Sequence, residues 1–293
     1  MTSPMDLPAE LKALYPFAAH DFSAPSGRMN YVDHGPREGR PVLLLHGNPS
    51  WSFLWRDLIV ALAARGRRVI VPDHVGMGLS ARPDRFLRLA DRIADVEALL
   101  THLNIGEFDL GVHDWGGAIG FGVAGRNPAR VGKILVTNTG AFLSKQIPCR
   151  IAVCRWPLIG RFMVQGLNGF ARPATWMAVE RPLTAAVKAG FLFPYLLASR
   201  RRAVADFVAD IPMEPHHPSR PVLAAVEAGL PSLRGKPMLL CWGLKDFCFD
   251  QAFLEGFITR FPEARTLIFP SAGHYVLEDA GTEAIRPITA FLD

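Results

Sequence analysis

Cysteine is scarce in this chain, and no apolar run is long enough to span a membrane. The four cysteines are Cys149, Cys154, Cys241 and Cys248, and their spacing matches no zinc-binding pattern. No stretch approaches the roughly 18 to 20 apolar residues that a bilayer requires. We therefore expect free or buried thiols, no integral membrane segment, and neither a metal nor a cofactor.

The N-terminal segment lacks the features of a secretory signal. Residues 1–17 include Asp6, Glu10 and Lys12 and contain no apolar core segment. The sequence thus predicts a soluble, cytoplasmic protein. Its 293 residues, of which 49% are hydrophobic, suffice for one α/β domain that carries an insertion.

Long clusters of basic residues and complete phosphate-binding loops are also absent. The chain has 32 Lys and Arg against 27 Asp and Glu, and its densest basic run, residues 200–202, is followed by Asp206 and Asp210. We expect a solvated helix face there rather than a nucleic-acid site, with a docking role as the alternative. The glycine turn at 73–80 lacks the full dinucleotide or Walker spacing and is expected to be structural.

Apolar strands alternate with helical patterns along most of the chain. This alternation predicts an α/β fold with a mostly parallel central sheet flanked by helices. Residues 141–221 are rich in Arg, Phe, Trp and Pro and show no clear strand, so we expect a helical cap inserted into a core domain formed by 1–140 and 222–293. After an opening hairpin within 18–34, strands are expected at 41–46, 68–72, 108–113, 131–136, 237–242 and 264–269, and helices at 51–64, 87–103, from Asp114 to about 127, 249–261 and 282–292.

Asp114 lies where a buried strand breaks abruptly into a glycine-containing helix. The apolar run 108–113 precedes it, and Gly116, Gly117 and Gly120 let the helix pack closely on the sheet. This strand-turn-helix pattern is typical of a nucleophile elbow. An aspartate with an ordinary pKa of about 3.9 is already a carboxylate at neutral pH. We therefore expect an alkyl halide, an epoxide or a β-lactone as substrate; the alternative is that Asp114 only caps the helix.

Two later strand ends carry the partners that such a nucleophile needs. Asp246 follows the strand 237–242 and His274 follows the strand 264–269, which gives the order nucleophile, acid, histidine of α/β-hydrolase triads. We expect His274 to activate water for a second half-reaction and Asp246 to hold its tautomer. Asp250 is the nearest alternative acid.

Negative charge that develops near Asp114 needs fixed donors. The candidates are the backbone and indole N–H groups of Trp115 and the side-chain amide of Asn48. Such neutral donors suit a halide, an alkoxide or a lactone carboxylate. The alternatives are an Asx-type turn before Pro49 and core packing of Trp115. Asn138 also lies at a predicted strand end, where active sites of such sheets occur.

With these residues the chain resembles the haloalkane dehalogenase-like branch of the α/β-hydrolase superfamily. In that branch the positions of Asp114, His274 and Asp246 are nucleophile, base and acid, and those of Asn48 and Trp115 bind halide. The matching motifs are HGNPSWSFLWR at 46–56, HDWGG at 113–117 and GH at 273–274.

A closer resemblance is to the β-lactone decarboxylases of long-chain olefin biosynthesis, which belong to this branch. That family converts a cis-β-lactone with two long alkyl chains into a cis-alkene and carbon dioxide and acts beside a β-lactone synthetase. The resemblance implies this reaction, an apolar small-molecule substrate and a synthetase partner, and leaves open whether Asp114 attacks the carbonyl or the ring carbon. It is carried by NTGAF at 138–142, CWGLKDFCFD at 241–250, AGHYVLEDA at 272–280 and, in the cap, GLNGF at 166–170, FPY at 193–195 and DIPM at 210–213.

Aromatic residues of the cap are candidates for an apolar channel that holds alkyl chains. We expect Phe170, Trp176, Phe193 and Tyr195 to line it; the alternative for each is the cap's own core. Further candidates are Phe162, Met163, Met177 and Phe191.

Three other functions are compatible with these motifs. A haloalkane dehalogenase needs the same donors and triad. An epoxide hydrolase is disfavoured, because that family presents two cap tyrosines and Tyr195 is the only tyrosine in 141–221. A non-catalytic ligand receptor on the same scaffold is disfavoured by the complete set of catalytic groups.

Overall fold

The architecture is a single eight-stranded sheet in the order β1-β2-β4-β3-β5-β6-β7-β8. The computed structural model describes residues 7–293, so the first six residues of the N-terminal segment discussed above lie outside the description. The pairs β1–β2 and β2–β4 are antiparallel, and all other neighbouring strands are parallel. The strands are β1 (His20–Ala24), β2 (Gly27–His34), β3 (Pro41–Leu45), β4 (Arg68–Pro72), β5 (Phe108–Asp114), β6 (Val131–Thr139), β7 (Met238–Gly243) and β8 (Arg265–Phe269).

Helices flank this sheet, which confirms the expected α/β-hydrolase architecture. Strands β4, β5 and β7 are buried along their whole length, as their near-continuous apolar runs require, whereas edge strand β8 is partly exposed. The helices are α1 (Ala9–Leu14), α2 (Arg56–Ala63), α3 (Leu89–His102), α4 (Trp115–Arg126), α5 (Cys149–Cys154), α6 (Ile159–Arg161), α7 (Ala171–Met177), α8 (Ala185–Leu192), α9 (Arg202–Ala209), α10 (Arg220–Gly229), α11 (Gln251–Arg260), α12 (Val276–Ala280) and α13 (Thr282–Leu292).

The predicted elements are present, with shifts at several ends. The helix expected from residue 51 begins with a 3₁₀ turn at Ser52–Trp55, and β6 runs on to Thr139, three residues beyond the prediction. Helices α1, α10 and α12 were not expected. Helices α1 and α12 are shorter than two turns and carry too little apolar periodicity to be seen, whereas α10 begins at the predicted end of the cap, in a stretch for which no element was predicted.

Between Thr139 and Met238 the described chain forms helices and turns and no strand. Helices α5 to α9 are short and include a π-helical turn at Phe162–Gly166. Helix α10 packs on α3 and α4, so from Arg220 onward the chain is again part of the helix layer that covers the sheet. The described part of the chain contains no helix that combines the length and apolar character needed to cross a bilayer.

The basic run at 200–202 is not the solvated helix face that we expected. Arg201 is buried and donates to the carbonyl of Gly166 at 3.3 Å, and Arg202 forms ion pairs with Asp84 and Asp206. The aliphatic stem of an arginine can be buried among apolar groups, and its guanidinium can donate a hydrogen bond to a carbonyl in a crevice. The sequence pattern alone does not distinguish that arrangement from a solvated face.

Two other structural expectations are confirmed. The four cysteines are free thiols. The glycine turn at 73–80 is structural: buried Asp73 accepts hydrogen bonds from the backbone N–H groups of Ser52 at 2.8 Å and Leu79 at 2.7 Å, and thereby ties the turn to the segment after β3.

Candidate active site

Asp114 occupies a strained turn between β5 and α4. Its backbone has φ +51° and ψ −126°, a region that non-glycine residues rarely adopt, so the surrounding structure must enforce it. The neighbouring chain must also come very close. A Cβ atom on Gly47 would overlap the Asp114 carboxylate, and one on Gly116 would overlap the carbonyl oxygen of Leu45. The sharp bend therefore depends on glycine at both positions.

The Asp114 carboxylate is held between a backbone donor and an imidazole. Its Oδ1 accepts a hydrogen bond from the backbone N–H of Asn48 at 2.5 Å, and its Oδ2 lies 3.8 Å from Nε2 of His274. Burial raises the pKa of Asp114 to about 6, while His274 and the N–H groups of Asn48 and Trp115 act in the opposite direction. The group is thus closer to neutral pH than the ordinary value assumed from sequence, and it is still mainly ionised at pH 7.

His274 lies between the nucleophile Asp114 and the acid Asp246. Its Nδ1 lies 2.8 Å from Oδ2 of Asp246, so the ring directs Nε2 toward Asp114. Burial alone lowers the pKa of His274, but the charges of Asp246 and Asp114 and the hydrogen bond to Asp246 outweigh it, and the net shift is upward. A raised pKa favours the imidazolium beside the nucleophile.

Asp246 is fixed by groups that the sequence only partly indicated. It accepts hydrogen bonds from the backbone N–H of Cys248 at 2.7 Å and from the side-chain amide of Asn138 at 3.0 Å. Burial raises the pKa of Asp246, but the charge and hydrogen bond of His274 and the backbone N–H groups of Cys248 and Phe249 outweigh that effect and hold the pKa below its usual value. Asp250, the alternative acid, instead caps α11 through the N–H of Ala252 at 3.0 Å.

Asn48 and Trp115 both lie beside Asp114 and line the same cavity. The amide Nδ2 of Asn48 donates to the carbonyl of Val204 at 3.1 Å, which leaves one of its two hydrogens free, while its Oδ1 has no partner within residues 7–293. The indole of Trp115 packs edge-on against Phe207 with ring centroids 5.4 Å apart. Both side chains thus contact α9 and line the same cavity as the nucleophile.

A cavity of about 470 Å³ adjoins these residues. Asp114 and His274 contribute to its wall together with residues of 142–154, the segment 163–178, the region after α9 and the loop after β7. Most of the lining side chains are apolar, so the nucleophile faces a compartment suited to a substrate with few polar groups.

The cap residues that we expected to line this cavity divide into two groups. Phe170 lines it, as do Met163 and Met177. The expectation is wrong for Trp176, whose side chain is exposed, and for Phe193, which does not contact the cavity. Neighbouring residues of a helix point to different faces. The sequence alone does not say which of these faces points toward the cavity.

Tyr195 is also not a lining residue. It is fully buried in the described structure, and its hydroxyl donates to the carbonyl of Ser50 at 3.2 Å and accepts from the N–H of Gly78 at 3.3 Å. It therefore joins the segment around residue 195 to the loops that carry Ser50 and Gly78. Of the further candidates, Phe162 is exposed and Phe191 stacks on Tyr275.

Sequence reasoning missed two residues that position His274. The ring of His113 packs against that of His274 with centroids 4.5 Å apart. The carboxylate of Asp279 accepts from the N–H of Gly273 at 2.7 Å and from the N–H of Arg181 at 2.8 Å, so it ties the histidine loop to the cap. Only the placement of His113 in the elbow motif hinted at such a role, because the contacts of Asp279 join segments about 100 residues apart.

Comparisons with known proteins agree with the motif resemblance. The chain matches the model of the alpha/beta hydrolase fold over residues 40–281. It is 41% identical over 281 residues to a cis-3-alkyl-4-alkyloxetan-2-one decarboxylase from Xanthomonas campestris pv. campestris, with 92% of this chain and 93% of that protein covered. It is 34% identical over 272 residues to haloalkane dehalogenase 2 from Mycobacterium tuberculosis, with 91% and 92% covered. The crystal structure of haloalkane dehalogenase DbeA from Bradyrhizobium elkani has the same fold, with a TM-score of 0.86 and 24% identity over 94% of this chain and 97% of that chain.

Proposed function

Since the chain belongs to the α/β-hydrolase family, we propose that it is a β-lactone decarboxylase, which converts a cis-3,4-dialkyl β-lactone into a cis-alkene and carbon dioxide. One structural observation carries the proposal: the buried Asp114 carboxylate, 3.8 Å from His274, faces a largely apolar cavity of about 470 Å³. The 41% identity to a cis-3-alkyl-4-alkyloxetan-2-one decarboxylase supports this choice of substrate.

Atom balance selects the ring carbon as the site of attack. Carbon dioxide must leave with the ring oxygen, so the bond between that oxygen and C4 of the lactone has to break. Attack of Asp114 on C4 breaks this bond and gives an alkyl ester of Asp114 with a free carboxylate on C3. Attack on the carbonyl carbon instead gives a mixed anhydride and an alkoxide, in which the bond from C4 to oxygen is intact.

The second step needs neither water nor a proton. The electron pair of the bond from C3 to the carboxylate becomes the double bond between C3 and C4, carbon dioxide departs, and Asp114 is expelled as a carboxylate. Attack with inversion at C4 places the departing carboxylate and the Asp114 oxygen on opposite sides, as an anti elimination requires. Inversion followed by anti elimination turns a cis lactone into a cis alkene.

The site's donors match both steps. The N–H groups of Asn48 and Trp115 hold the Asp114 carboxylate, which is the nucleophile first and the leaving group afterwards. The raised pKa of His274 favours an imidazolium that stabilises this leaving carboxylate. The remaining amide N–H of Asn48 and the indole N–H of Trp115 orient the new carboxylate, and the apolar cavity surrounds it with little solvation, which favours loss of carbon dioxide.

Halide hydrolysis is the second candidate function. It is favoured by the 34% identity to a haloalkane dehalogenase and by the two side-chain donors beside Asp114. It needs a neutral His274 to activate water, whereas the local charges favour the imidazolium. An epoxide hydrolase is less well supported, because buried Tyr195 does not face the cavity.

The same proposal includes the substrate-binding domain, the source of the substrate and the location of the protein. We assign residues 141–221 as the substrate-binding cap, a β-lactone synthetase as the source of the substrate, and the cytoplasm as the location. The motif resemblance supports the first two, and the location is the expectation stated from the sequence. The cavity wall formed by residues 142–154 and 163–178 supports the first.

A parallel assay tests the choice between the two reactions. The protein is given a cis-dialkyl β-lactone and a 1-bromoalkane of similar chain length, and alkene and bromide are followed in the same buffer. We expect alkene to form at least about a hundredfold faster than bromide, with both products abolished by Asp114→Asn. Faster bromide release would assign the dehalogenase function instead.

A further inference from the structure

The cap exposes an unusual number of large apolar side chains on its outer surface. We define the cap patch as Trp156, Leu158, Ile159, Phe162 and Leu167 with Leu196 and Leu197, all of them more than half exposed. Leu158 is 84% exposed and Phe162 62%. The 3₁₀ turn that follows Leu197 packs against the π-helical turn Phe162–Gly166, so the two parts of the patch are neighbours. Exposed apolar surface of this kind typically marks an interaction site.

The same cap segment is apolar on its inner side. Met163 and Phe170 line the cavity, while Phe162 and Leu167 of the same turns face outward. A surface helix that only covers a cavity normally has a polar outer face. Here the same stretch of chain has an apolar inner side, which lines the cavity, and an apolar outer surface. Exposure of that outer surface to water is unfavourable.

The positive charge of the chain is concentrated in residues 141–221, the segment that carries this patch. Residues 141–221 contain 11 Lys and Arg and four Asp and Glu, a net charge of +7, whereas the rest of the chain contains 21 and 23, a net charge of −2. The basic residues that appear scattered along the whole sequence are therefore segregated between the two parts. Among the cap's basic residues in the described chain, only Arg155 and Arg202 form ion pairs. Exposed Arg161, between Ile159 and Phe162 of the patch, and exposed Arg172, five residues after Leu167, form none.

We propose that the cap patch docks onto an anionic lipid bilayer. An apolar surface with an interfacial tryptophan, surrounded by unpaired arginines, has the composition of a peripheral membrane-binding face. The net charge of +7 makes an anionic surface the complementary partner, which a second copy of this basic cap is not. If the proposed function holds, docking also places the cavity wall next to the phase into which a dialkyl lactone partitions.

Vesicle flotation of the full-length protein tests this proposal without any substrate. The probes are vesicles of phosphatidylcholine alone and of phosphatidylcholine with phosphatidylglycerol. We expect flotation with the anionic vesicles, at least tenfold weaker binding to the neutral ones, and weakening as salt rises, because ions screen the exposed arginines. The double variant Leu158→Glu, Phe162→Glu should lower binding at least tenfold. Its matched control is Val60→Glu on α2, which changes an exposed apolar residue outside the cap and should leave flotation unchanged.

A second pair of variants separates the electrostatic from the apolar contribution. Arg161→Gln with Arg172→Gln should remove the preference for anionic vesicles, whereas Arg265→Gln with Arg286→Gln, two exposed arginines outside the cap, should not. Melting curves establish that each variant is folded. Turnover of a detergent-dispersed lactone should be unaffected in all of them, since none of these residues lines the cavity.

Two outcomes would overturn the docking proposal. One is the absence of wild-type flotation with anionic vesicles, or equal flotation of the cap-patch variant and the Val60→Glu control. The other is a dimer in light scattering that the cap-patch variant dissociates, without flotation, which would assign the patch to a second copy of this chain. Flotation without lactone turnover would contradict the proposed function alone and leave the docking surface in place.

Discussion

At the scale of single residues, the chemistry depends on one buried carboxylate in a strained backbone. Asp114 combines a positive φ, close approach of Gly47 and a pKa raised to about 6. The strained backbone and the buried charge cost stability, whereas the close approach of Gly47 lets the sharp bend form. Replacement of this residue should therefore affect activity and stability in opposite directions.

Asp114→Asn tests this opposition. We expect alkene formation to fall at least about 10⁴-fold, because the nucleophile is lost. The folded pKa of about 6 exceeds the value of 3.8 in the unfolded chain, so the ionised group destabilises the fold above pH 6 and the penalty disappears as the pH falls toward 3.8. Urea unfolding should show the variant more stable by up to about 3 kcal/mol at pH 8. Equal stability of the two proteins at pH 8, or a gain that does not shrink at pH 5, would contradict this account.

The pH dependence of turnover distinguishes the two candidate reactions. Lactone decarboxylation needs ionised Asp114 and the His274 imidazolium, so kcat/KM should rise as the pH increases through about 6 and fall again at higher pH, where His274 loses its proton. Halide release also needs neutral His274, whose pKa is raised, so its rate should rise only at higher pH. In Asp246→Asn the acid limb of halide release should move to lower pH, while that of alkene formation stays in place. An alkene profile that follows the halide profile would refute the assigned role of His274.

Residue-level prediction from sequence succeeded where chemistry and chain order restrict the choice. Asp114, Asp246 and His274 lie at three strand ends, and the structure brings them within hydrogen-bonding or near-contact distance. The raised pKa of Asp114 was not predictable, because it depends on complete burial by distant segments. The cap residues Trp176 and Tyr195 were wrongly placed in the cavity for a similar reason: inward and outward aromatic residues look alike in sequence.

At the scale of elements, the histidine loop is anchored by a buried ion pair between α2 and α12. The guanidinium of Arg56 donates to both carboxylate oxygens of Glu278, at 2.5 and 2.8 Å, and both side chains are almost fully buried. Glu278 lies only four residues after His274, so the pair fixes the start of α12 and with it the loop that carries the imidazole.

Glu278→Ala should be strongly destabilising. It leaves the Arg56 guanidinium buried without its partner, and we expect a loss of about 3 to 5 kcal/mol in the free energy of unfolding. The double variant Arg56→Met, Glu278→Leu removes both charges and should recover most of that loss in chemical denaturation. If the double variant is no more stable than Glu278→Ala, the pair stabilises the fold through something other than compensation of the buried charge.

Element prediction followed the strength of the local pattern. The buried strand 68–72 and the helix 282–292 were predicted with their observed ends, since apolar runs and helical periodicity mark them clearly. Helix α12 carries the anchoring residues Glu278 and Asp279 and was missed. With five residues it has no periodicity of its own, and only tertiary contacts define it.

At the scale of the whole molecule, the proposed cap and the proposed core differ in both charge and surface. Residues 141–221 carry a net charge of +7 and the cap patch, whereas the remaining chain carries −2 and holds Asp114, Asp246 and His274. The overall charge of +5 conceals this division, because the basic residues look scattered when the chain is taken as a whole. Docking through the cap and chemistry in the core are therefore separable, and the variants proposed for one leave the other intact.

The central claim is that Asp114 attacks the lactone ring carbon and is released by decarboxylation, without hydrolysis of the ester. A single turnover in H₂¹⁸O, followed by mass spectrometry of the peptide that contains Asp114, tests it most directly. If decarboxylation releases the enzyme, Asp114 retains its original oxygens and no label enters the peptide. Incorporation of ¹⁸O into Asp114 during alkene formation would show that water cleaves the intermediate and would contradict the account.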